Sequence, residues 1–353
     1  MLGKKNSYWE EKESLQTVQQ ISDQPAQWKK VQKQVRDQKD ALKAFLEPAL
    51  AASDLTIIFN GLTGIVAQTV YSWMDAEVRY NTRYLAEGEV LESDKNYVMI
   101  SIEDEGNTMK LAADIDRQPE PVRQLIVTGD ADSPLVKAAR EMTNMYGLVA
   151  ENAKISGLML AAFMTLHLEI LDDLQVDDMI HSASHVLNQS SSDIEKFVED
   201  NSFGAIRAVG FNVRQKRHAL KEMAGVIKVA FVSPYTGMPY DGTPLNLVYL
   251  PDEPNMKSEQ LELIKALRRD GQLVYAVEAR HDGEFNCDGQ LDLKLLMARN
   301  NVYAAFSFLT VLEAMTAFKA ARHNISLDEP DGYIQVTLDS WQEKQTFDDA
   351  IEV

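Results

Sequence analysis

The chain has almost no cysteine. Its 353 residues include one, Cys287, so no internal disulfide can form and the disulfide-stapled class of small secreted proteins is excluded. A long hydrophobic run is also missing. The longest, residues 157–170 (GLMLAAFMTLHLEI), falls short of the roughly 20 residues that cross a bilayer and carries His167 and Glu169, so it reads as a buried core helix. The N-terminal MLGKKNSYWEEKESLQ has no apolar segment of the signal-peptide kind, and with the cysteine count this makes the cytoplasm the expected location. Positive charge is short as well: 35 Lys and Arg against 54 Asp and Glu leave a formal net charge of −19. The basic cluster from Arg214 to Arg217 (RQKR) does little to offset it. So acidic a chain repels nucleic-acid phosphates and anionic lipid headgroups, and neither nucleic acid nor membrane is expected as a partner. A small phosphorylated ligand is not excluded, because backbone N–H groups at helix N-termini hold phosphates irrespective of net charge.

What is present is an ordinary globular composition, 45% hydrophobic and 25% charged, in a chain longer than one core usually organises. Residues 1–50 are polar and helix-favouring, interrupted by Pro25 and Pro48, and read as a leader of one or two surface helices. Residues 51–180 form a first domain, in which the runs 55–59 (LTIIF), 97–102 (YVMISI) and 124–127 (QLIV) each lead through turn residues into a helical apolar period. Residues 181–330 repeat the pattern with strands 206–211, 229–232, 245–250 and 273–277, helices 213–224 and 258–269, and a long closing helix 301–321. The polar stretch 172–200 marks the junction, and residues 331–353 are a tail. Strands alternating with helices imply right-handed crossovers, so the expected fold class is α/β, with two tandem doubly wound parallel-sheet domains. Ligands in such folds sit at the carboxyl ends of the strands, at the topological switch point.

Two turns carry polar groups at that place: Asn60-Gly61-Leu62-Thr63-Gly64, and Ser101 to Thr108 (SIEDEGNT). Each leaves a strand and opens a helix. Asn60, Gly61 and Thr63 in one, and Ser101, Asn107 and Thr108 in the other, are therefore the candidate ligand-binding residues, offering N–H and O–H donors to an anion. The same residues also suit plain strand-to-helix turns with local hydrogen bonds.

Gln24-Pro25-x-x-Trp28, followed by Phe45-Leu46-Glu47-Pro48, resembles the N-terminal segment of the tagatose-6-phosphate ketose/aldose isomerases, also called galactosamine-6-phosphate deaminase/isomerases. The resemblance continues through 101–108, where that family has a Ser-Gly-Asn-Ser type phosphate loop, and through Asp132-Ser133-Pro134-Leu135, Ala219-Leu220-Lys221, Ser233-Pro234, residues 261–270 and the closing helix. It implies two sugar isomerase (SIS) domains, a sugar phosphate or related derivative as ligand, neither metal nor organic cofactor, and a homodimer. The chain also departs from the family pattern. Gly64 stands where the family has a serine, Glu105 replaces the serine before Gly106, and Glu103 and Asp104 add two carboxylates. In the second half the family's catalytic glutamate falls at Ala224. Its Phe-Arg-His-Gly-Pro turn corresponds to residues 233–242 (SPYTGMPYDG), without a histidine, and Asp331-Gly332-Tyr333 stands in place of its Thr-Val-Asn-Arg tail.

Isomerisation through an enediol needs a base for the carbon-bound proton and an acid near the ring oxygen. Glu222 is the candidate base. His218, Tyr240 and Asp241 are the remaining catalytic candidates, although His218 equally suits a solvated helix surface. His181 and His185 stand at i, i+4 and could share a metal, but no zinc-protease signature or third ligand accompanies them, so they read as a solvated helix face. The expected function is aldose/ketose isomerisation, with or without deamination, of a phosphorylated hexose or hexosamine. Two alternatives remain: a catalytically weakened SIS protein that binds or senses a sugar derivative, and a sugar-phosphate–amine deglycase.

Overall fold

The computed structural model describes residues 1–50, 56–60, 81–85, 89–91, 97–103, 108–166, 173–203, 206–209, 244–252, 254–281, 283–297 and 303–328. Three helices open the chain: α1 (Asn6–Glu11), α2 (Leu15–Asp37) and α3 (Lys39–Leu50). The expected surface leader is instead part of the interior. Leu2, Trp9, Val18 and Ile21 join one hydrophobic core, while Trp28, Val31, Val35, Leu42 and Leu46 join another. Pro25 does not interrupt the leader either, since α2 runs through it. An interior proline forfeits one helical hydrogen bond, a loss of about 3 kcal/mol, which burial of the apolar stripe on either side offsets. The Trp28 indole N–H donates to Ser156 Oγ at 3.2 Å, and its ring meets Phe306 edge-on with centroids 5.7 Å apart.

The first sheet contains β1 (Thr56–Asn60), β2 (Asn81–Tyr84), β3 (Tyr97–Glu103), β4 (Arg123–Thr128) and β5 (Met145–Val149), all parallel, in the order β2-β1-β3-β4-β5. That order reverses direction between β1 and β3, which makes their carboxyl ends the switch point. Every residue of β3 is buried, as a parallel strand covered on both faces requires. Helices α4 (Thr108–Arg117), α5 (Pro134–Ala139) and α6 (Ile155–Leu166) belong to this half. The apolar run read as a core helix is α6, buried along its length from Ser156 to Thr165.

The polar stretch expected at the junction is helical: α7 (Asp173–His185), a π turn (Val186–Ser190) and α8 (Ser191–Asp200). It turns Val176, Met179, Ala183, Ile194 and Val198 inward. The second sheet follows with β6 (Ile206–Val209), β7 (Leu245–Leu250), β8 (Leu273–Glu278) and β9 (Gly289–Asp292), again parallel and in that order, with α9 (Pro254–Arg269) crossing from β7 to β8. The α/β reading with parallel sheets is therefore met in both halves. The helical period expected after the run 55–59, the expected strand 229–232 and the expected helix 213–224 lie outside the described residues.

The closing helix, α10 (Ala304–Arg322), is buried at every position except Glu313 and Arg322. Phe306 packs in the first core with Trp28 and Phe163, whereas Phe308, Val311, Met315 and Phe318 pack in the second with Trp9 and Tyr249. By length and composition alone α10 could cross a membrane, yet 94% of its apolar window is buried inside the protein, as in a core helix.

Glu313 is the one acidic residue on α10. Its Oε1 accepts from Gln24 Nε2 at 2.9 Å and its Oε2 is shielded from solvent. Burial pushes its pKa up to about 7, against the opposing effect of the Gln24 hydrogen bond. The folded protein thus keeps this proton up to about pH 7, while the unfolded chain releases it near the ordinary value of 4.5. Stability should fall as pH rises between those values, by roughly 3 kcal/mol in all, and level off above them. We expect Glu313→Gln to flatten this part of the pH profile in urea titrations; a variant with the wild-type slope would show that another group is responsible.

Candidate functional site

Asn60, the last residue of β1, lies in register opposite Ser101 of β3, so the two turns read from the sequence leave the first sheet at adjacent points. A third segment arrives from β4, whose end at Thr128 leads through Gly129 to Ser133. At Gly129 a Cβ would come within 2.6 Å of the Ala153 carbonyl oxygen, so only glycine allows the chain to turn this closely.

Glu103, the last residue of β3, ties these segments together. It is 4% exposed. Its Oε1 accepts from Thr108 Oγ1 at 2.6 Å, and its Oε2 accepts from Ser133 Oγ at 2.5 Å. Thr108 is the first residue of α4, and Ser133 is the N-cap of α5, where its Oγ also accepts from the Leu135 N–H at 3.1 Å. A carboxyl group therefore sits at two helix starts, where unsatisfied N–H groups and the helix dipole favour negative charge. Chemically, the edge suits negative charge and already holds the carboxyl group of Glu103.

The sequence candidates distribute as follows. Ser101 is fully buried and its Oγ accepts from Gln124 Nε2 at 3.3 Å. Thr108 stands at the helix start with its hydroxyl engaged by Glu103. Asn60 stands at the strand end beside them. Gly61, Thr63, Asn107, His218, Glu222, Tyr240 and Asp241 lie outside the described residues. Ser133 was visible only as part of a family-like segment; its signal was a serine directly before Pro134, the pattern of an N-cap followed by proline in the first turn.

His181 is exposed, and both ring nitrogens of His185 meet local partners, Gln189 Oε1 at 3.0 Å and Ser190 Oγ at 3.2 Å. Among the described residues, no group of three or more His, Cys, Asp and Glu side chains could hold a metal ion. Burial raises the pKa of the Cys287 thiol, which disfavours the nucleophilic thiolate.

Parallel strands in the β2-β1-β3-β4-β5 order, with α4 and α5 starting beyond the ends of β3 and β4, define a doubly wound α/β fold. Solved structures agree on the fold. A crystal structure from Clostridium novyi NT, of a candidate tagatose-6-phosphate ketose/aldose isomerase, superposes with a TM-score of 0.70 at 16% identity, covering 94% of this chain and 95% of that one. The tagatose-6-phosphate ketose/aldose isomerase of Escherichia coli superposes with a TM-score of 0.63 at 19% identity, over 86% of this chain and 92% of that one. In sequence, the chain is 23% identical over 349 residues to the D-galactosamine-6-phosphate deaminase AgaS of Shewanella sp. (strain ANA-3), covering 89% of this chain and 87% of the relative. No family profile matches the chain. The chain thus shares the fold of these solved structures and is similar in sequence to the deaminase over most of its length.

Ser133 supports both Glu103 and the start of α5, so we expect Ser133→Ala to lower stability by about 2 kcal/mol, with Ser133→Thr recovering most of that loss. The urea midpoint measures this; a midpoint unchanged in Ser133→Ala would show that the cap and the Glu103 contact contribute nothing.

Proposed function

We propose that the chain is an aldose/ketose isomerase, with or without coupled deamination, acting on a phosphorylated hexose or hexosamine seated at the carboxyl edge of the first sheet. The observation that carries this reading is the similarity to a galactosamine-6-phosphate deaminase over 89% of the chain, with the two candidate turns leaving the sheet side by side. In this reading Asn60, Gly61, Thr63, Ser101, Asn107 and Thr108 surround the sugar phosphate. Glu222 takes the carbon-bound proton, and His218, Tyr240 and Asp241 are the groups from which ring-opening acid chemistry is drawn. The reading includes a helical leader to residue 50, SIS domains at 51–180 and 181–330, a cytoplasmic homodimer, and no metal or organic cofactor.

A second reading, a sugar-binding protein with little turnover, is favoured by one observation. The hydroxyls of Thr108 and Ser133 both donate to Glu103, so a ligand phosphate would meet a fixed carboxyl group instead of free donors. Like charges in a partly desolvated place repel by several kcal/mol.

Coupled detection of ketose phosphate and of released ammonia, with tagatose 6-phosphate and galactosamine 6-phosphate as substrates, separates the two. We expect slow turnover that Glu222→Gln reduces a further 10²–10⁴-fold or so. Turnover that Glu222→Gln leaves unchanged removes that residue from the chemistry, and no turnover at all leaves the binding reading. In calorimetry, Glu103→Ser should tighten hexose 6-phosphate binding about tenfold or more; unchanged affinity would show that the phosphate sits elsewhere.

A further inference from the structure

The carboxyl edge of the second sheet carries a polar cluster that isomerisation at the first sheet does not use. After β7 comes Asp252, and α9 begins at Pro254; after β8 come Arg280 and His281. Glu278, the last residue of β8, is fully buried. Its Oε1 accepts from Gln290 Nε2 at 2.6 Å and lies 3.2 Å from His281 Nδ1, and its Oε2 lies 3.6 Å from the Lys257 ammonium. Lys257 is 7% exposed, with its Nζ 5.4 Å from the centre of the Phe285 ring. Arg280 pairs with Asp252 at 2.9 Å.

Gln260 stands one turn beyond Lys257 on α9 and is 0% exposed. Among the described residues, neither its Nε2 nor its Oε1 has a hydrogen-bond partner. It shares the buried face of α9 with Lys257, three residues before it, and with Ile264, four residues after it, which packs on β7 and β8. Burying an amide with both functions unmet is unfavourable, and native proteins rarely do so without a reason in binding or catalysis.

Charge narrows the chemistry of what binds. Among the described residues, Lys257 and Arg280 are balanced by Glu278 and Asp252, so these side chains leave no surplus positive charge for a phosphate or carboxylate. An amide presents a donor and an acceptor side by side, matching two adjacent hydroxyls, of which one accepts and the other donates. The carboxyl end of a parallel sheet is also where doubly wound folds take ligands. We infer that the second sheet carries its own binding site for a neutral, hydroxyl-rich ligand, an unphosphorylated hexose, with Gln260 bridging two adjacent hydroxyls beside the Lys257 and Glu278 pair.

The test uses the full chain and D-galactose as the probe, with calorimetry for affinity and NMR of the Gln260 side-chain amide for location. Galactose should bind with one site per chain, shift the Gln260 amide resonances, and lose about tenfold or more in affinity in Gln260→Met. Because the amide shift is read on the wild-type protein, a Gln260→Met chain that failed to fold would leave the experiment decisive. No heat and no amide shift at high millimolar galactose overturns the inference, the amide then being met by buried water alone. It is equally overturned by affinity that survives Gln260→Met, or by shifts confined to the first sheet's edge. Turnover on sugar phosphates reports the other centre independently.

Discussion

A helix buried on nearly every side needs partners around almost its whole circumference, and α10 is such a helix. Those partners come from two cores that meet on it: Phe306 faces the first, and Phe308, Val311, Met315 and Phe318 face the second. Each large side chain that is fully buried contributes about 1.5–3 kcal/mol, so a handful of them rivals the whole net stability of an ordinary domain, about 5–15 kcal/mol. The leader completes the enclosure. Trp9 packs on Phe318 and Trp28 on Phe306, so α1 and α2 connect both cores through the same helix. This explains why a segment rich in Gln and Lys is fixed to the body, and why the Glu313 and Gln24 pair, at the seam between α2 and α10, is sensitive to pH.

With α10 and the leader in place, the two sheets are held as parallel units whose carboxyl edges carry different chemistry. At the first edge, Glu103 is met by two hydroxyls at helix starts, Thr108 and Ser133, in a place suited to an anion. At the second, among the described residues, Lys257 and Arg280 pair with Glu278 and Asp252 and the Gln260 amide has no hydrogen-bond partner. A duplicated fold permits such a division, since each half supplies its own set of strand ends and the loops alone decide what each set binds.

The central strands were readable from sequence because strands buried on both faces appear as continuous apolar runs: YVMISI, LNLVYL and LVYAV correspond to β3, β7 and β8. The edge strands β2 (NTRY), β5 (MYGLV) and β9 (GQLD) were not, being short and polar or containing glycine. Burial of the leader was hidden for another reason. Val18, Ile21, Trp28, Val31 and Val35 are spaced as a helix stripe but diluted by glutamines, and two of those, Gln24 and Gln32, are themselves buried. At the candidate site, the strand that ends at Glu103 and the helix that starts at Thr108 are local patterns and were therefore visible. The bond from Glu103 to Ser133 joins residues 30 apart and depends on the β3 and β4 pairing, which no local pattern encodes. Gln260 lies in the helix expected at 258–269, and only the docking of α9 on the sheet makes it an interior amide.

The proposed isomerase reading rests on the ligand lying at the switch point between β1 and β3. A crystal structure of the chain grown with galactosamine 6-phosphate addresses that directly. The sugar phosphate is predicted beside the strand ends at Asn60 and Ser101, with its phosphate toward the start of α4 and the Glu103 side chain displaced from Thr108. Sugar density at another place on the protein, with the Glu103, Thr108 and Ser133 contacts unchanged, would contradict it.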